Sequence, residues 1–146
     1  MKKTIFLLFI SLMLYSCETA TFAGIINQKN EDITVKIYYN TNSEKIQEYL
    51  NQHKSFESFS KFILKYNNTN FQNKISVNSN ESSASIKIKK NDTLIIWGGL
   101  HQSKDFNEIK KVEIFILDKE KVEISGSNIS DVFEKKDGGL YLFTVK

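Results

Sequence analysis

The sequence has no proline and no arginine, and only one cysteine and two histidines among 146 residues. One cysteine cannot close an internal disulfide, and with two histidines it falls short of the usual zinc ligand sets. Without arginine, bidentate guanidinium recognition of phosphate or carboxylate is excluded. Without proline, the edges of any β-sheet must be guarded by charge, a role that suits the lysines of Ile86-Lys87-Ile88-Lys89-Lys90. The cation-loop spacing D-x-[DN]-x-[DN]-G, the H-x-x-x-H spacing and the nucleophile elbow G-x-S-x-G are all missing. Glu31, Asp32, Asp118, Glu120 and Asp137 read as isolated turn acids, and His53 and His101 as surface or loop residues. The chain therefore reads as a non-enzymatic protein with no catalytic residue, no metal site and no cofactor.

All 20 basic residues are lysines, set against 17 acids, for a formal charge of +3. Much of that excess sits at the start. Lys2 and Lys3 precede an apolar run of twelve residues, Thr4 to Tyr15. Crossing a bilayer takes about 20 apolar residues, whereas a run of twelve behind two lysines has the form of a secretory signal helix. The segment from Cys17 onward carries 18 lysines against 17 acids. Near-neutrality gives no electrostatic basis for binding nucleic acid.

The apolar run ends in Leu14-Tyr15-Ser16-Cys17. This resembles the lipobox of bacterial lipoproteins, with Leu14 the aliphatic position, Ser16 the small one and Cys17 the modified cysteine. Tyr15 departs from the small or aliphatic residue more usual there. Ordinary signal cleavage after Ala23, in Thr21-Phe22-Ala23, is the alternative. The resemblance implies removal of residues 1–16 and attachment of acyl chains at Cys17. Residues 17–24 would then be a short tether and residues 25–146 the folded domain. One acyl chain holds a protein only marginally, while two or three anchor it firmly. A membrane partner through the N-terminal acyl chains follows, and a cell-envelope location, at the outer membrane and facing periplasm or surface.

Among the 130 residues from Cys17 onward, 44 are β-branched or aromatic. That balance favours strands. Period-two alternation places Ile33, Val35, Ile37 and Tyr39 on one face of a strand over residues 32–39, with Phe22–Asn27 as its hairpin partner across Gln28–Glu31. Further strands are predicted over 74–77, 85–89, 93–97, 111–117, 121–125 and 140–145. About eight short strands separated by turn signals predict an antiparallel β-sandwich, immunoglobulin-like or related. One insertion breaks the pattern. Over residues 43–60 the apolar spacing becomes helical, with Thr41 and Glu44 at capping-box distance and a break near His53–Ser55. Residues 61–67 fit either helix or strand. Short helical turns are predicted at 104–109 and 128–134.

Trp97-Gly98-Gly99-Leu100-His101 is the most unusual local segment. Two glycines after a strand permit a bend or a close backbone approach. Trp97, Gly98, Gly99, His101 and Asp105 are thus a candidate binding loop, set against the plainer reading of a core tryptophan beside a glycine bend. Asp92-Thr93-Leu94 resembles the three-residue O-glycosylation site of exported Bacteroidota proteins, which would place a glycan on Thr93. The body of the chain, in EDITVKIYYN, IKIKKNDTLIIWGGL and DFNEIKKVEIF, resembles small flavobacterial lipoproteins. That resemblance implies export, anchoring and a β-rich domain, and no site residues. The expected role is a binding or assembly module of the envelope with a protein partner there. An inhibitor or immunity protein acting on a toxin or hydrolase is the alternative.

Overall fold

The computed structural model describes residues 20–53, 55–67, 74–100, 106–117, 120–126 and 129–146. The signal positions Lys2, Lys3, Leu14 and Ser16, the acylation position Cys17, and His101 and Asp105 lie outside the described residues.

The chain is mainly β, with two sheets packed into a sandwich. The strands are β1 (Ala20–Asn27), β2 (Ile33–Tyr39), β3 (Ser76–Asn78), β4 (Ser83–Ile88), β5 (Thr93–Leu100), β6 (Ile109–Ile116), β7 (Glu120–Ser125), β8 (Glu134–Lys135) and β9 (Leu140–Val145). Helices α1 (Glu44–His53) and α2 (Phe56–Ile63) lie between β2 and β3, and a 3-10 turn, Leu64–Tyr66, extends α2. One sheet runs β5-β1-β9-β8 and the other β3-β4-β2-β6-β7. The helical insertion, its break and the alternation of β2 match the sequence reading, and residues 64–66 are helical rather than a strand.

Three expectations are corrected. First, Phe22–Asn27 does not pair with β2. β1 is a central strand of the other sheet, antiparallel to β5 and parallel to β9. Second, β1 already includes Ala20, so residues 20–24 are strand rather than tether. Third, helix α1 is capped by Ser43, whose Oγ accepts the Ile46 N–H at 3.4 Å, and not by Thr41. The edge expected at Ile86-Lys87-Ile88 is present among the described residues, because β3 pairs with β4 only over Ser83–Ser85 while Ile86–Ile88 pair with β2 alone. The total of nine described strands in sheets of four and five equals the variable-type immunoglobulin count, but the order differs, so this is a related sandwich with one parallel pair.

The core draws on both inner faces: Ala23, Ile25, Leu94 and Ile96 from one sheet; Ile33, Val35, Ile37, Ile86, Val112 and Ile114 from the other. Helices α1 and α2 add Ile46, Phe59 and Ile63 along one side. Polar side chains close two weak points. Fully buried Asn27 sits where both sheet-to-sheet crossings meet. Its Nδ2 donates to the carbonyls of Glu31 (2.8 Å) and Ile88 (3.4 Å), and its Oδ1 accepts the Lys29 N–H (3.0 Å). Buried Asn67 covers the free edge of β5, accepting the Ile95 N–H and donating to the Ile95 carbonyl, each at 2.7 Å. That hides the unpaired groups of an edge strand.

Tyr39 is the exception. Its ring meets Phe56 and Phe59 edge-on, at 5.6 and 5.4 Å between centroids, while its buried hydroxyl has no hydrogen-bond partner among the described residues. Burial holds the phenol above its ordinary pKa, and Ser60 beside it offsets this only slightly, since the Ser60 hydroxyl donates to the Phe56 carbonyl at 3.2 Å. An unsatisfied buried hydroxyl costs about 1–3 kcal/mol. Tyr39→Phe keeps the ring contacts and removes the hydroxyl. Urea unfolding of this variant should show stability unchanged or raised by about 1 kcal/mol. A clear loss would mean that the hydroxyl is satisfied.

Candidate functional site

Of the predicted binding loop, Trp97, Gly98 and Gly99 are among the described residues. Trp97 is 2% exposed, packs against Phe106 at 4.9 Å between centroids, and donates its indole N–H to Glu108 Oε2 at 2.8 Å. It belongs to the core. Gly98 is there for space: a Cβ would come within 2.5 Å of Phe22 Cδ1. Gly98 and Gly99 line a small hollow of about 160 Å³ with Lys45, Phe62, Ile63 and Tyr66. Thr93 opens β5, opposite Ile26 and just after the turn at Asn91 and Asp92.

A larger recess lies elsewhere, a cleft of about 1050 Å³ at one end of the five-stranded sheet. Three turns meet there because β2 pairs with both β4 and β6. The turn after β2 brings Asn40 and Asn42, the turn before β4 brings Asn80 and Ser82, and the turn before β6 brings Phe106 and Asn107. Asn40 ties two of these turns together: its Nδ2 donates to the Asn107 carbonyl at 3.1 Å and its Oδ1 accepts the Asn42 N–H at 3.3 Å. The carboxamides of Asn42, Asn80 and Asn107 make no hydrogen bond among the described residues and are exposed.

Backbone strain gathers around this cleft. Four described non-glycine residues have positive φ, and Ser82 (51°) and Phe106 (45°) are cleft residues. Gly126 (84°), after β7, is a third positive-φ position on the same rim. At Ser82 and Phe106, which are not glycine, such conformations cost about 1–3 kcal/mol each and persist where surrounding structure imposes them, often at binding sites.

One wall carries a lattice of charge. Glu113 and Glu123 face each other across β6 and β7, a repulsive pairing. The lysines resolve it. Glu113 Oε1 takes Lys111 Nζ and Lys121 Nζ, each at 2.8 Å, and Oε2 accepts the Tyr38 hydroxyl at 2.8 Å. Burial alone would raise the Glu113 carboxyl, but these three donors override it and bring its pKa down to about 2. Lys121 is held above its ordinary range by the same bonds and by Glu123. Lys36 and Lys111 also lie over the Tyr38 ring, at 4.8 and 4.2 Å from its centroid. Lys36 pairs with Glu81 at 2.5 Å. Most charge beside the cleft is therefore internally matched, and the free capacity lies in neutral carboxamides.

The sequence reading missed this cleft. Its asparagines were visible only as turn signals, since nothing local shows that three separate turns converge. Among the described residues no group of three metal-ligating side chains occurs, and no helix is long and apolar enough to cross a membrane. No protein-family model, curated protein or solved structure matches the chain, so the functional reading rests on this geometry and on the residues themselves.

Proposed function

We propose that the chain is a lipid-anchored cell-envelope protein, held through acyl chains on Cys17, and that it acts as a non-enzymatic binding module. The cleft is its binding site, and a saccharide chain is the ligand its chemistry fits best. The carrying observation is the set of three uncommitted carboxamides around a cleft of about 1050 Å³. A primary amide offers two donors and an acceptor in one plane, which matches adjacent hydroxyls. Lys110 apart, the charges along the wall are matched in ion pairs, which favours a largely neutral ligand. The cleft opens at the end of the sandwich from which β1 starts, because Ala20 pairs with Leu100 there while Asn27 and Ile88 meet at the other end. A tether at Cys17 would hold the bound ligand close to the bilayer.

The test is titration of the purified lipoprotein with glycan strands released from the cell envelope, beside the variant Asn42→Ala/Asn80→Ala/Asn107→Ala. Each lost hydrogen bond contributes about 0.5–1.5 kcal/mol, so the variant should bind at least about tenfold more weakly with unchanged stability. No saturable binding by the parent, or equal binding by both proteins, overturns the saccharide assignment. Anchoring is tested separately: Cys17→Ser should move the protein out of the membrane fraction.

A further inference from the structure

The helical side of the molecule carries a strip of aromatic side chains, two of which stand exposed outside the core. Phe62 is 36% exposed and Tyr66 is 41% exposed. Tyr49 stacks on the Phe62 ring at 5.2 Å, and Phe22 meets Tyr66 edge-on at 5.1 Å. The Lys65 ammonium lies 4.1 Å from the Phe62 centroid and 5.0 Å from that of Tyr66. Two shallow hollows flank the strip, of about 160 and 210 Å³, and both include Phe62 and Lys45. The strip shares no residue with the saccharide cleft.

Its position in the chain names the occupant. Phe22 is the third residue of β1, and Cys17 precedes Ala20 by three residues. Three extended residues reach roughly 10 Å at most. Acyl chains on Cys17 would therefore enter a bilayer next to the strip. Aromatic rings with a polar tip, together with lysines whose stems lie along apolar surface, are the side chains that suit the headgroup level. A short tether also keeps the strip at an effective concentration of order mM relative to that surface.

We infer that the face formed by Tyr49, Phe62, Lys65, Tyr66 and Phe22 lies on the lipid bilayer at headgroup depth, so that the domain is oriented and does not tumble on its tether. This rests on the anchoring reading and is independent of the cleft.

The experiment uses the full acylated protein in vesicles of phosphatidylethanolamine and phosphatidylglycerol, with nitroxide on a fraction of the headgroups. A thiol-reactive fluorophore is placed at position 61 by Lys61→Cys, or at position 117 by Leu117→Cys. Lys61 adjoins Phe62 on α2. Leu117 follows Ile116, which pairs with Ile33 at the end opposite Ala20, and is 62% exposed. The fluorophore at 61 should be quenched several-fold more than that at 117. Adding Phe62→Ser/Tyr66→Ser should erase the difference while Cys17 still retains the protein on the vesicle. Equal quenching at both positions in acylated protein overturns the inference and leaves anchoring intact. A mass showing no acyl chains on Cys17 sinks the anchoring reading, and the inference with it.

Discussion

Asn27→Asp should remove about 3–5 kcal/mol of stability at neutral pH, the cost typical of an uncompensated buried charge. The replacement is nearly isosteric, so packing is not the cause. In the native chain the Asn27 amide donates to the carbonyls of Glu31 and Ile88, and its own backbone exchanges hydrogen bonds with Asn91 and Asp92. One side chain thereby clamps the β1–β2 and β4–β5 crossings, the two places where the chain passes between sheets at that end. A carboxylate there faces two carbonyl oxygens with no donor to offer. A protonated carboxyl regains one donor. The folded-state pKa of an aspartate at this position should therefore lie above its unfolded value, so the variant's deficit against the parent is smallest below about pH 4 and grows as pH rises through the folded pKa. Asn27→Ala removes the same bonds without adding charge. It should cost about 2–4 kcal/mol with no such pH dependence, from two unsatisfied carbonyls and an unfilled corner. A domain of this size has about 5–15 kcal/mol in total, so either change is visible in urea melts at pH 7 and pH 4. Equal losses for Asp at both pH values would refute the clamp.

The strand faces were legible because alternation decides which side of a strand is buried. Ile33, Val35, Ile37 and Tyr39 are all core residues. Sheet membership was not legible, because both layers of a sandwich carry the same alternation. A four-residue polar turn after Asn27 fits a hairpin as well as a crossing. One signal for β1 was present. Ala23, Gly24 and Ile25 are consecutively buried, which marks a strand covered on both faces rather than one half-exposed. The end of α1 at His53 and the new start of α2 at Phe56 were visible in the spacing, but the true cap of α1, Ser43, lies two residues after the expected Thr41. The cleft was invisible for a different reason. Asn42, Asn80 and Asn107 are far apart in sequence and meet only through the register of β2 with β4 and β6.

Glu108→Ala should cost about 2–4 kcal/mol, the loss expected when a buried donor to a charged acceptor is left without a partner. Glu108 stands in the turn before β6, largely buried, with Oε2 on the Trp97 indole N–H at 2.8 Å and Oε1 on Lys45 Nζ at 3.0 Å. It joins the four-stranded sheet, the five-stranded sheet and helix α1 through one carboxylate. Without it the indole N–H stays buried in the core with nothing to accept it, while half-exposed Lys45 can turn to water. Glu108→Gln separates these contributions. A carboxamide oxygen can still accept from the indole, so this variant should lose only about 1–2 kcal/mol. Burial by itself would raise the Glu108 pKa, but the bonds from Trp97 and Lys45 outweigh it and hold the carboxyl below the usual range. A depressed carboxyl stabilises the fold above its unfolded pKa, about 4.3, and that contribution is lost as pH falls through the folded value. The stability gap between the parent and Glu108→Gln should therefore be widest near neutrality and narrow as pH falls below about 4. Paired urea melts at pH 7 and pH 3 measure it. A gap that stays constant or widens in acid would show that the carboxylate charge does not hold this junction together.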